Sequence, residues 1–500
     1  MNVEGYDIIV VGAGHNGLAA AAYLAKAGKK VLVLERRNFV GGSVITEELA
    51  RGFSADAVWT GGTLRPDIVK DLGLTLPLST PRPPFVSLLG NGQHLVLDAE
   101  PMQAAEAIRR FSEKDAARWP EFVRFMDRAA AFLDEVYATI MPRLPMDMSL
   151  REGLGLAEVG IDLRLMGRKD MLRVIRMLPM TAVEFLEEWF ESEQLKAALA
   201  SVAIHAATLG PMSAGTGYTL LHNWMNRGGL SHVNVGSAGT TTHALADAVR
   251  RFGGAIRTGY EVERILVDTY TCTGVMLAGG EEIRAGAVLS AVDPKRTFLS
   301  LVQPVNLPPE FVWKTQSIKM RGAVSKLHLL TDGTHGIPHG TLVLAPSLEY
   351  LERAYDAAKY GGISERPYLE LTTHGNVVSV HIQFTPYGPE GSSWREQGAH
   401  LEKLVLDALE PHLPRLRASI TDRKLLTPLD LEITYGLTEG DPNHGQLMLD
   451  QFLFMRPMPG WSNHRTPIDN LYLCGSGVHG GGGVSGAAGR NAARIAQQAE

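Results

Sequence analysis

The first forty residues of the chain contain two short apolar runs separated by a helical pattern. Residues 7–11 and 31–34 are almost continuously apolar, as in parallel strands that are buried on both faces. Between them, four residues share one helix face: Leu18, Ala21, Ala22 and Ala25. Gly28 follows in a position that commonly ends a helix. The segment is therefore predicted to form a strand–helix–strand unit.

The stretch from residue 102 to residue 200 is predicted to be mostly helical. Six apolar residues follow helical spacing there: Phe122, Phe125, Met126, Ala129, Phe132 and Leu133. A second helical stretch is predicted from about residue 171 to residue 200. It should break at Pro179, because proline lacks a backbone donor and clashes with the preceding turn.

Short strands dominate the pattern after residue 240. Strands are predicted at residues 255–257, 262–268, 274–278, 288–292 and 471–474, with a hairpin turn at Gly279 and Gly280. Residues 323–385 also alternate in the manner of strands. Helices are predicted at residues 244–252, 347–360, 394–413 and 490–498.

The length and composition are those of a soluble globular protein. With 500 residues the chain is too long for one ordinary core, which predicts two or three domains. Hydrophobic residues make up 45% of the chain, and the net charge of −6 comes without a long basic run, so a nucleic-acid partner is not expected. The apolar stretches are too short to span a bilayer, and no signal-peptide pattern is present.

The two cysteines argue against two kinds of chemistry. Cys272 and Cys474 are far apart in sequence, so the chain has neither a Cys-x-x-Cys redox pair nor the cysteine spacing of a zinc site. A disulfide-reductase mechanism and a metal site are therefore not expected. So few cysteines also favour a reducing compartment, and we expect the protein in the cytoplasm.

Gly12, Gly14 and Gly17 form a G-x-G-x-x-G motif between the first predicted strand and helix. In this context the motif is typical of dinucleotide binding. The first glycine allows a tight turn, the second lets the backbone approach a pyrophosphate, and the third lets the helix pack on the strand. The helix N-terminus then presents free N–H groups to the anion. A merely structural unit is the alternative.

A carboxylate, Glu35, ends the second predicted strand. There it can accept hydrogen bonds from both hydroxyls of the adenosine ribose, and it would repel a 2′-phosphate. Gly41 and Gly42 follow and can return backbone N–H groups to the pyrophosphate, although an ordinary loop is the alternative for this pair. The combination of Glu35, Arg36 and the glycine pair resembles FAD oxidoreductases more than NAD dehydrogenases.

A glycine-rich segment separates the last predicted strand from the last predicted helix. It begins at Gly475 and includes four consecutive glycines at residues 480–483. A flat ring could lie on such bare backbone, and the helix N-terminus would stabilise negative charge on a reduced flavin. We therefore predict cofactor contacts at Gly475, Gly482, Gly483 and Val484. A flexible linker is the alternative.

These motifs indicate a family resemblance that covers nearly the whole chain. The sequence resembles the phytoene desaturase and carotenoid ketolase-like branch of FAD-dependent oxidoreductases. It is especially similar to pyridine nucleotide-disulphide oxidoreductase domain-containing proteins. The matching stretches are residues 12–17, 35–42, 64–66, 220–222, 293–294, 450–457 and 471–490. The resemblance implies FAD held without a covalent bond, with Arg36, Ser43 and Val262 among its contacts.

The resemblance also implies the fold. We expect an α/β protein with a Rossmann-type, glutathione reductase-like FAD-binding domain, an inserted α+β substrate domain and a helical lid. The FAD-binding domain would comprise residues 1–75, 230–300 and 425–500. The substrate domain would comprise residues 76–110 and 301–424, and the lid residues 111–229.

Two enzyme activities fit this scaffold. The first is a desaturase or dehydrogenase that removes hydride from a C–H bond of an apolar, isoprenoid- or polyene-like substrate. The second is an amine or small-molecule oxidase, and a flavin-binding protein that has lost its chemistry is a third reading. The family pattern places His222, His444 and His479 near the ring, and of these His444 and His479 are the catalytic candidates, although a lone histidine is more often structural.

No second dinucleotide-binding unit is predicted downstream. We therefore expect electrons to leave to oxygen or a quinone-like acceptor rather than to arrive from a nicotinamide. The helical stretch from Met171 to Phe190 would suit a peripheral membrane contact, with Arg173 and Arg176 at the head groups. A lid helix packed on its own domain is the alternative. The sequence does not indicate an oligomeric state.

Overall fold

The computed structural model describes residues 5–50, 52–59, 62–77, 82–144, 150–232 and 237–498. The strands are β1 (Tyr6–Val11), β2 (Val31–Glu35), β3 (Thr46–Ala50), β4 (Phe53–Asp56), β5 (Phe85–Leu88), β6 (His94–Leu97), β7 (Ala255–Thr258), β8 (Val262–Asp268), β9 (Thr271–Leu277), β10 (Glu282–Ser290), β11 (Val324–Thr331), β12 (Thr341–Leu344), β13 (Leu369–His374), β14 (Val377–Gln383), β15 (Ile420–Leu426) and β16 (Leu471–Leu473).

The α-helices lie mainly in the first half of the chain and at its end. They are α1 (His15–Lys26), α2 (Pro66–Leu72), α3 (Pro101–Arg109), α4 (Glu113–Ala138), α5 (Leu150–Leu165), α6 (Arg168–Met177), α7 (Ala182–Glu187), α8 (Glu193–Ile204), α9 (Thr216–Arg227), α10 (Ala238–Arg251), α11 (Pro309–Ser317), α12 (Leu348–Lys359), α13 (Trp394–Leu409), α14 (Leu416–Ser419), α15 (Pro428–Tyr435) and α16 (Ala487–Gln497).

The first sheet is built on five parallel strands in the order β7-β2-β1-β10-β16. Its central strands are buried on both faces, as their continuous apolar runs predict. Val10 and Val33 pack under α1, α10 and α16, whereas Ile9 and Leu32 belong to the core on the opposite face. This doubly covered parallel sheet confirms the predicted Rossmann-type α/β fold.

The second sheet is mixed and runs β15-β11-β14-β13-β12-β5-β6. All its pairs are antiparallel except β12 with β5. One face packs on α13, where Leu327 and Val380 share a core with Leu401 and Val405. Residues of alternating position, such as Lys326, point to the other face. The strands of the two sheets come from alternating parts of the chain. The domain boundaries given above stay a prediction.

The helices α3 to α9 pack into one large core with a cluster of aromatic rings. Phe122 of α4 lies at its centre, with its ring centroid 5.3 Å from that of Trp189 and 5.9 Å from that of Trp224. Edge-to-face pairs of this kind stabilise beyond their buried area. In the described part of the chain no helix is long and apolar enough to cross a membrane.

The structure corrects several predicted boundaries. The stretch 171–200 contains parts of three helices, because the chain breaks at Ser192 as well as near Pro179. Ser192 is the N-cap of α8, and its backbone N–H donates to the Asp115 carboxylate (2.8 Å). Helix α10 begins at Ala238, before the predicted residue 244. Its first turn is rich in threonine, a weak helix former that hides the pattern.

Two further corrections concern strands. The strand predicted at residues 288–292 is the end of one long strand, β10, that begins at the hairpin. The hairpins β3–β4 and β5–β6 were not predicted. Strands β3 and β4 are mostly polar and only partly buried, so they carry little hydrophobic signal.

Candidate cofactor site and active site

The turn between β1 and α1 has no room for side chains at its glycines. A Cβ on Gly17 would overlap the carbonyl oxygen of Gly12 and would lie 2.9 Å from Ala291 Cβ. The helix therefore packs directly on the strand, and its N-terminus, with Gly14 as the N-cap, opens toward a groove at the end of the sheet. Free N–H groups at this point suit a pyrophosphate.

Glu35 holds its carboxylate at the same edge of the sheet. The backbone N–H groups of Ala13 and Arg37 donate to its Oε2 and Oε1 atoms, each at 2.9 Å. The side chain is buried, but each carboxylate oxygen can accept a further bond, and Glu35 lines the groove. These free positions fit the two ribose hydroxyls of an adenosine.

The second glycine pair lies against the first motif. The Gly41 N–H donates to the Ala13 carbonyl (2.9 Å), and a Cβ on Gly42 would stand 3.1 Å from Gly14 Cα. Gly42 and Ser43 line the groove, whereas Gly41 lies beneath it. The loop with Gly12 and Gly14 and the loop with Gly41 and Gly42 thus pack together through backbone atoms, without side chains between them. A cofactor contact at Gly41 and Gly42 stays a prediction.

The groove has a volume of about 470 Å³ and runs along the ends of the parallel strands. Its adenosine end is formed by Glu35, Arg36 and Val262, and its opposite end, which we call the flavin end, by His444, Gly475 and Ser476. The predicted contacts that line it are Gly12, Gly14, Gly17, Glu35, Arg36, Gly42, Ser43, Val262, Gly475 and His444. The glycine backbone near the N-terminus of α1 and the Glu35 carboxylate fit the pyrophosphate and the adenosine ribose of FAD in chemistry.

Two histidines at the flavin end are buried without hydrogen bonds at one nitrogen. His15 Nε2 and His444 Nδ1 have no partner among the described residues. Burial lowers the pKa of His15 to about 4, with the nearby His444 contributing, and burial also lowers the pKa of His444. Both rings are therefore neutral at pH 7. Each offers a hydrogen-bonding nitrogen to a bound molecule.

The C-terminal glycines divide into two groups. Gly475 lines the groove, where a Cβ would lie 2.5 Å from the Ala291 carbonyl oxygen. Gly482 and Gly483 pack on α9 instead, with φ angles of +93° and +71°. A Cβ on Gly482 would lie 2.9 Å from His222 Cε1, and one on Gly483 would overlap the Asn226 amide. Val484 packs beside Gly62. A ring contact at these three residues remains a prediction.

The two predicted catalytic histidines occupy different surroundings. His444 lines the groove with a φ of +58°, in the left-handed region. His479 is buried away from the groove, where its Nε2 lies 3.0 Å from the Val136 carbonyl and its ring packs edge-on against Tyr137. Burial lowers the pKa of His479 to about 4. The structure does not bring these two side chains together.

Sequence reasoning overlooked many of the residues that line the groove, among them His15, Asn16, Arg296 and Ser476. The Asn16 side chain donates to Ser476 Oγ (3.2 Å), which ties the first glycine motif to the C-terminal one. His15 and Asn16 are the variable positions of the G-x-G-x-x-G motif, and Ser476 follows Gly475 directly. The place of His15, Asn16 and Ser476 inside the two motifs was the available signal, whereas Arg296 lies in neither motif.

With this geometry established, the comparisons with known proteins decide the family. Residues 17–496 match the family described as flavin containing amine oxidoreductase. The chain belongs to this family. A rat relative, pyridine nucleotide-disulfide oxidoreductase domain-containing protein 2, is 36% identical, with 98% of this chain and 93% of the relative covered. The resemblance inferred from the motifs is thereby confirmed.

More distant members of the family are 25% identical. They include a limonene dehydrogenase component of Castellaniella defragrans, with 99% of this chain and 95% of the relative covered. The neurosporene-forming phytoene desaturase of Cereibacter sphaeroides is similar over 96% of this chain and 92% of its own length. The solved structure of cyclohexylamine oxidase from Brevibacterium oxydans shares the fold, with a TM-score of 0.57, 17% identity and 99% of both chains covered.

Family membership settles the cofactor and the general activity. This flavin-containing amine oxidoreductase family member is an oxidoreductase that uses FAD. When bound, FAD supplies the acceptor for a hydride. The first glycine motif, Glu35, the Gly41–Gly42 wall and Gly475 would hold it in the groove.

Replacement of Glu35 tests the adenosine end of the groove. Glu35→Ala removes both acceptor oxygens, and charge-assisted hydrogen bonds contribute about 1.5–3 kcal/mol each, so FAD affinity should fall at least about tenfold. Flavin fluorescence during dilution measures the dissociation constant. Glu282→Ala, on the exposed β9–β10 hairpin, is the control and should bind FAD normally. Unchanged affinity in Glu35→Ala would remove this residue from the site.

Replacement of Gly483 tests the C-terminal segment. Because φ is +71° and a side chain would overlap Asn226, valine at this position must displace the glycine backbone. We expect Gly483→Val to lose bound FAD while its circular dichroism spectrum stays native, since the sheets lie elsewhere. Gly160→Ala, in open space on α5, is the control.

A double variant separates ring contact from helix packing. Asn226→Ala removes the amide that a side chain at Gly483 would overlap. If Gly483→Ala loses FAD and Gly483→Ala with Asn226→Ala still lacks it, the segment contacts the cofactor. Full recovery of flavin in the double variant would instead show that the segment only packs on α9.

Proposed function

We propose that the protein is an FAD-dependent dehydrogenase that removes hydride from a C–H bond of an apolar, isoprenoid-like substrate. The observation that carries the proposal is the His444 imidazole at the flavin end of the groove, whose buried Nδ1 has no hydrogen-bond partner among the described residues. Formation of a carbon–carbon double bond releases a hydride and a proton. Bound FAD would supply the acceptor for the hydride, and the proton needs a neutral base close by. Two relatives, named as a limonene dehydrogenase component and a phytoene desaturase, support this substrate class.

The role of His444 follows from its surroundings. Its Nδ1 is buried and lacks a partner among the described residues, so it can accept the proton. The carboxylate that acts on His444 is that of the buried Asp293, whose charge opposes the lowering of the histidine pKa by burial. Asp441 contacts His444 through its backbone, where its carbonyl accepts from the His444 N–H (3.4 Å), and burial raises the pKa of the Asp441 carboxyl to about 7. His479, which is bonded to backbone, serves as a structural residue in this proposal.

An amine oxidase is the second candidate. The family description and the fold shared with cyclohexylamine oxidase favour it. A protonated amine would seek a buried carboxylate, and Glu370 on the inner face of the second sheet is one. Glu370 is already paired with Arg227 (2.8 Å), however, which weakens it as an amine site.

We further propose that electrons leave to oxygen or a quinone-like acceptor, since the sequence predicts a single dinucleotide-binding unit. A peripheral membrane contact would bring both an apolar substrate and a quinone within reach. Helices α5 and α6 support this contact with exposed apolar side chains: Leu154, Ile161, Leu165, Leu172 and Ile175. Exposed cations nearby, such as Lys169 and Arg176, would face lipid head groups.

Anaerobic reduction of the bound flavin tests the proposed function. Limonene or phytoene should bleach the flavin absorbance, whereas cyclohexylamine, NADH and NADPH should leave it unchanged. His444→Ala should slow the bleaching by a factor of about 10²–10⁴, the usual contribution of a general base. His400→Ala, at an exposed position, is the control. Rapid bleaching by the amine or by NADPH would contradict the proposal.

A further inference from the structure

A buried arginine, Arg456, lies behind the flavin end of the groove. Only 3% of its surface is exposed, and its guanidinium makes no ion pair with a carboxylate among the described residues. All its hydrogen bonds go to backbone carbonyls. A charged group in a protein interior is unfavourable unless polar groups compensate it. Carbonyl dipoles alone are bonded to this one.

The guanidinium joins two segments of the groove wall. Its Nη2 donates to the carbonyl of Asn443 (2.7 Å) and its Nη1 to that of Gly445 (3.2 Å), so that the two bonds fall on either side of His444. Nη2 and Nε also donate to the carbonyl of Ser476, at 2.9 Å and 3.3 Å. His444 and Ser476 both line the flavin end. The positive charge is therefore bonded directly to the backbone of the wall.

These bonds also fix the loop that carries His444. The φ angle of His444 is +58° and that of Gly445 is +131°, so both residues lie in the left-handed region. A residue other than glycine keeps such a conformation only where its surroundings impose it. The bonds from Arg456 to the carbonyls before and after His444 contribute to this. The guanidinium and the His444 ring are thus held at fixed positions relative to each other.

Two carboxyl groups and one further cation lie near this end of the groove. The Asp293 carboxylate accepts from the backbone N–H of Arg296 (2.9 Å), and the charges of both residues act on His444. The carboxyl that acts on Arg456 is that of Asp441, whose Oδ2 is buried without a partner among the described residues. Because burial raises the pKa of Asp441 to about 7, this carboxyl offsets the charge of Arg456 only in part at neutral pH.

The other titratable groups packed around Arg456 are uncharged. The hydroxyls of Tyr137 and Tyr218 lie 2.8 Å apart, and burial raises the pKa of both, so they stay protonated at pH 7. Burial lowers the pKa of His222 to about 3 and that of His479 to about 4, so both rings are neutral. Within the described part of the chain, these groups leave the positive charge in place.

A fixed positive charge at this place suits the chemistry of a flavin. The ring gains one negative charge when it accepts a hydride, because the hydride brings two electrons and one proton to a neutral ring. A preorganised charge in a dry interior stabilises such a negative charge more strongly than an exposed one does. Hydrogen bonding to the three carbonyls does not by itself require a charge, since a neutral amide also donates.

We propose that Arg456 sets the reduction potential of the bound FAD, because its positive charge behind the flavin end favours the reduced cofactor over the oxidised one. The inference places the flavin ring at the end of the groove that His444 and Ser476 line. It rests on the use of FAD, which family membership shows, and does not depend on the identity of the substrate. A residue that only packs the wall is the alternative.

The midpoint potential of the bound FAD, measured by reduction in equilibrium with a reference dye, tests the inference. Arg456→Met removes the charge and should weaken the binding of reduced FAD at least about tenfold relative to oxidised FAD, which lowers a two-electron potential by about 30 mV. Arg456→Gln, which keeps a donor for the carbonyls, should show the same loss. Arg456→Lys keeps the charge and should retain most of the wild-type potential. Arg353→Met, exposed on α12, is the control and should leave the potential unchanged.

A second variant tests the same charge without altering Arg456. Asp441→Asn removes the opposing carboxylate but keeps an oxygen that can accept from the Asn443 N–H (2.8 Å). At pH 8 the wild-type carboxyl is mostly ionised, so this variant should have a higher potential than the wild type. Melting temperature and FAD content are recorded for every variant.

Three results would overturn the inference. The first is a wild-type potential in Arg456→Met and Arg456→Gln proteins that retain FAD. The second is a potential of Arg456→Lys as low as that of Arg456→Met, which would assign Arg456 to packing alone. The third, which decides the matter if the Arg456 variants lose FAD, is the absence of a rise in Asp441→Asn at pH 8. Reduction by a dye needs no substrate, so failure of the dehydrogenase proposal would leave these potentials unaffected.

Discussion

The close packing of α1 against α16 is the contact on which the rest of the site depends. A Cβ on Gly489 of α16 would overlap the carbonyl oxygen of Asn16 in α1, so the two helices approach at backbone distance. The Asn16 side-chain amide donates to Ser476 Oγ, and its side-chain oxygen accepts from the Gly489 N–H (3.4 Å). The two ends of the chain are thereby held together. Without this approach the C-terminal motif would not reach the groove that the N-terminal motif opens.

Those parts of the fold with strong local signals could be predicted from the sequence. The strand–turn–helix at residues 6–26, Glu35 at the end of β2 and the strand before Gly475 all follow from continuous apolar runs and fixed glycine positions. What could not be predicted depends on contacts distant in sequence. The packing of Gly482 and Gly483 on α9 is one example, because the sequence around the glycines does not indicate that His222 and Asn226 are their neighbours.

The row of buried polar residues on the second sheet is another feature that could not be predicted from the sequence. The alternation of apolar and polar residues predicts the strands that contain Lys326 and His381. The register that places these two residues side by side is a property of the folded sheet. The pairing of Glu370 with Arg227 joins residues far apart in sequence. The burial and pairing of these charged side chains could therefore be recognised only in the structure.

The central claim is that the groove at the end of the first sheet binds FAD without a covalent bond. The most direct measurement is to denature the purified protein, separate the protein from small molecules, and identify the released nucleotide by chromatography and mass spectrometry. We expect FAD to be released in stoichiometric amount and no flavin to stay on the polypeptide. Release of NAD, absence of any nucleotide, or flavin that remains attached to the denatured chain would contradict it.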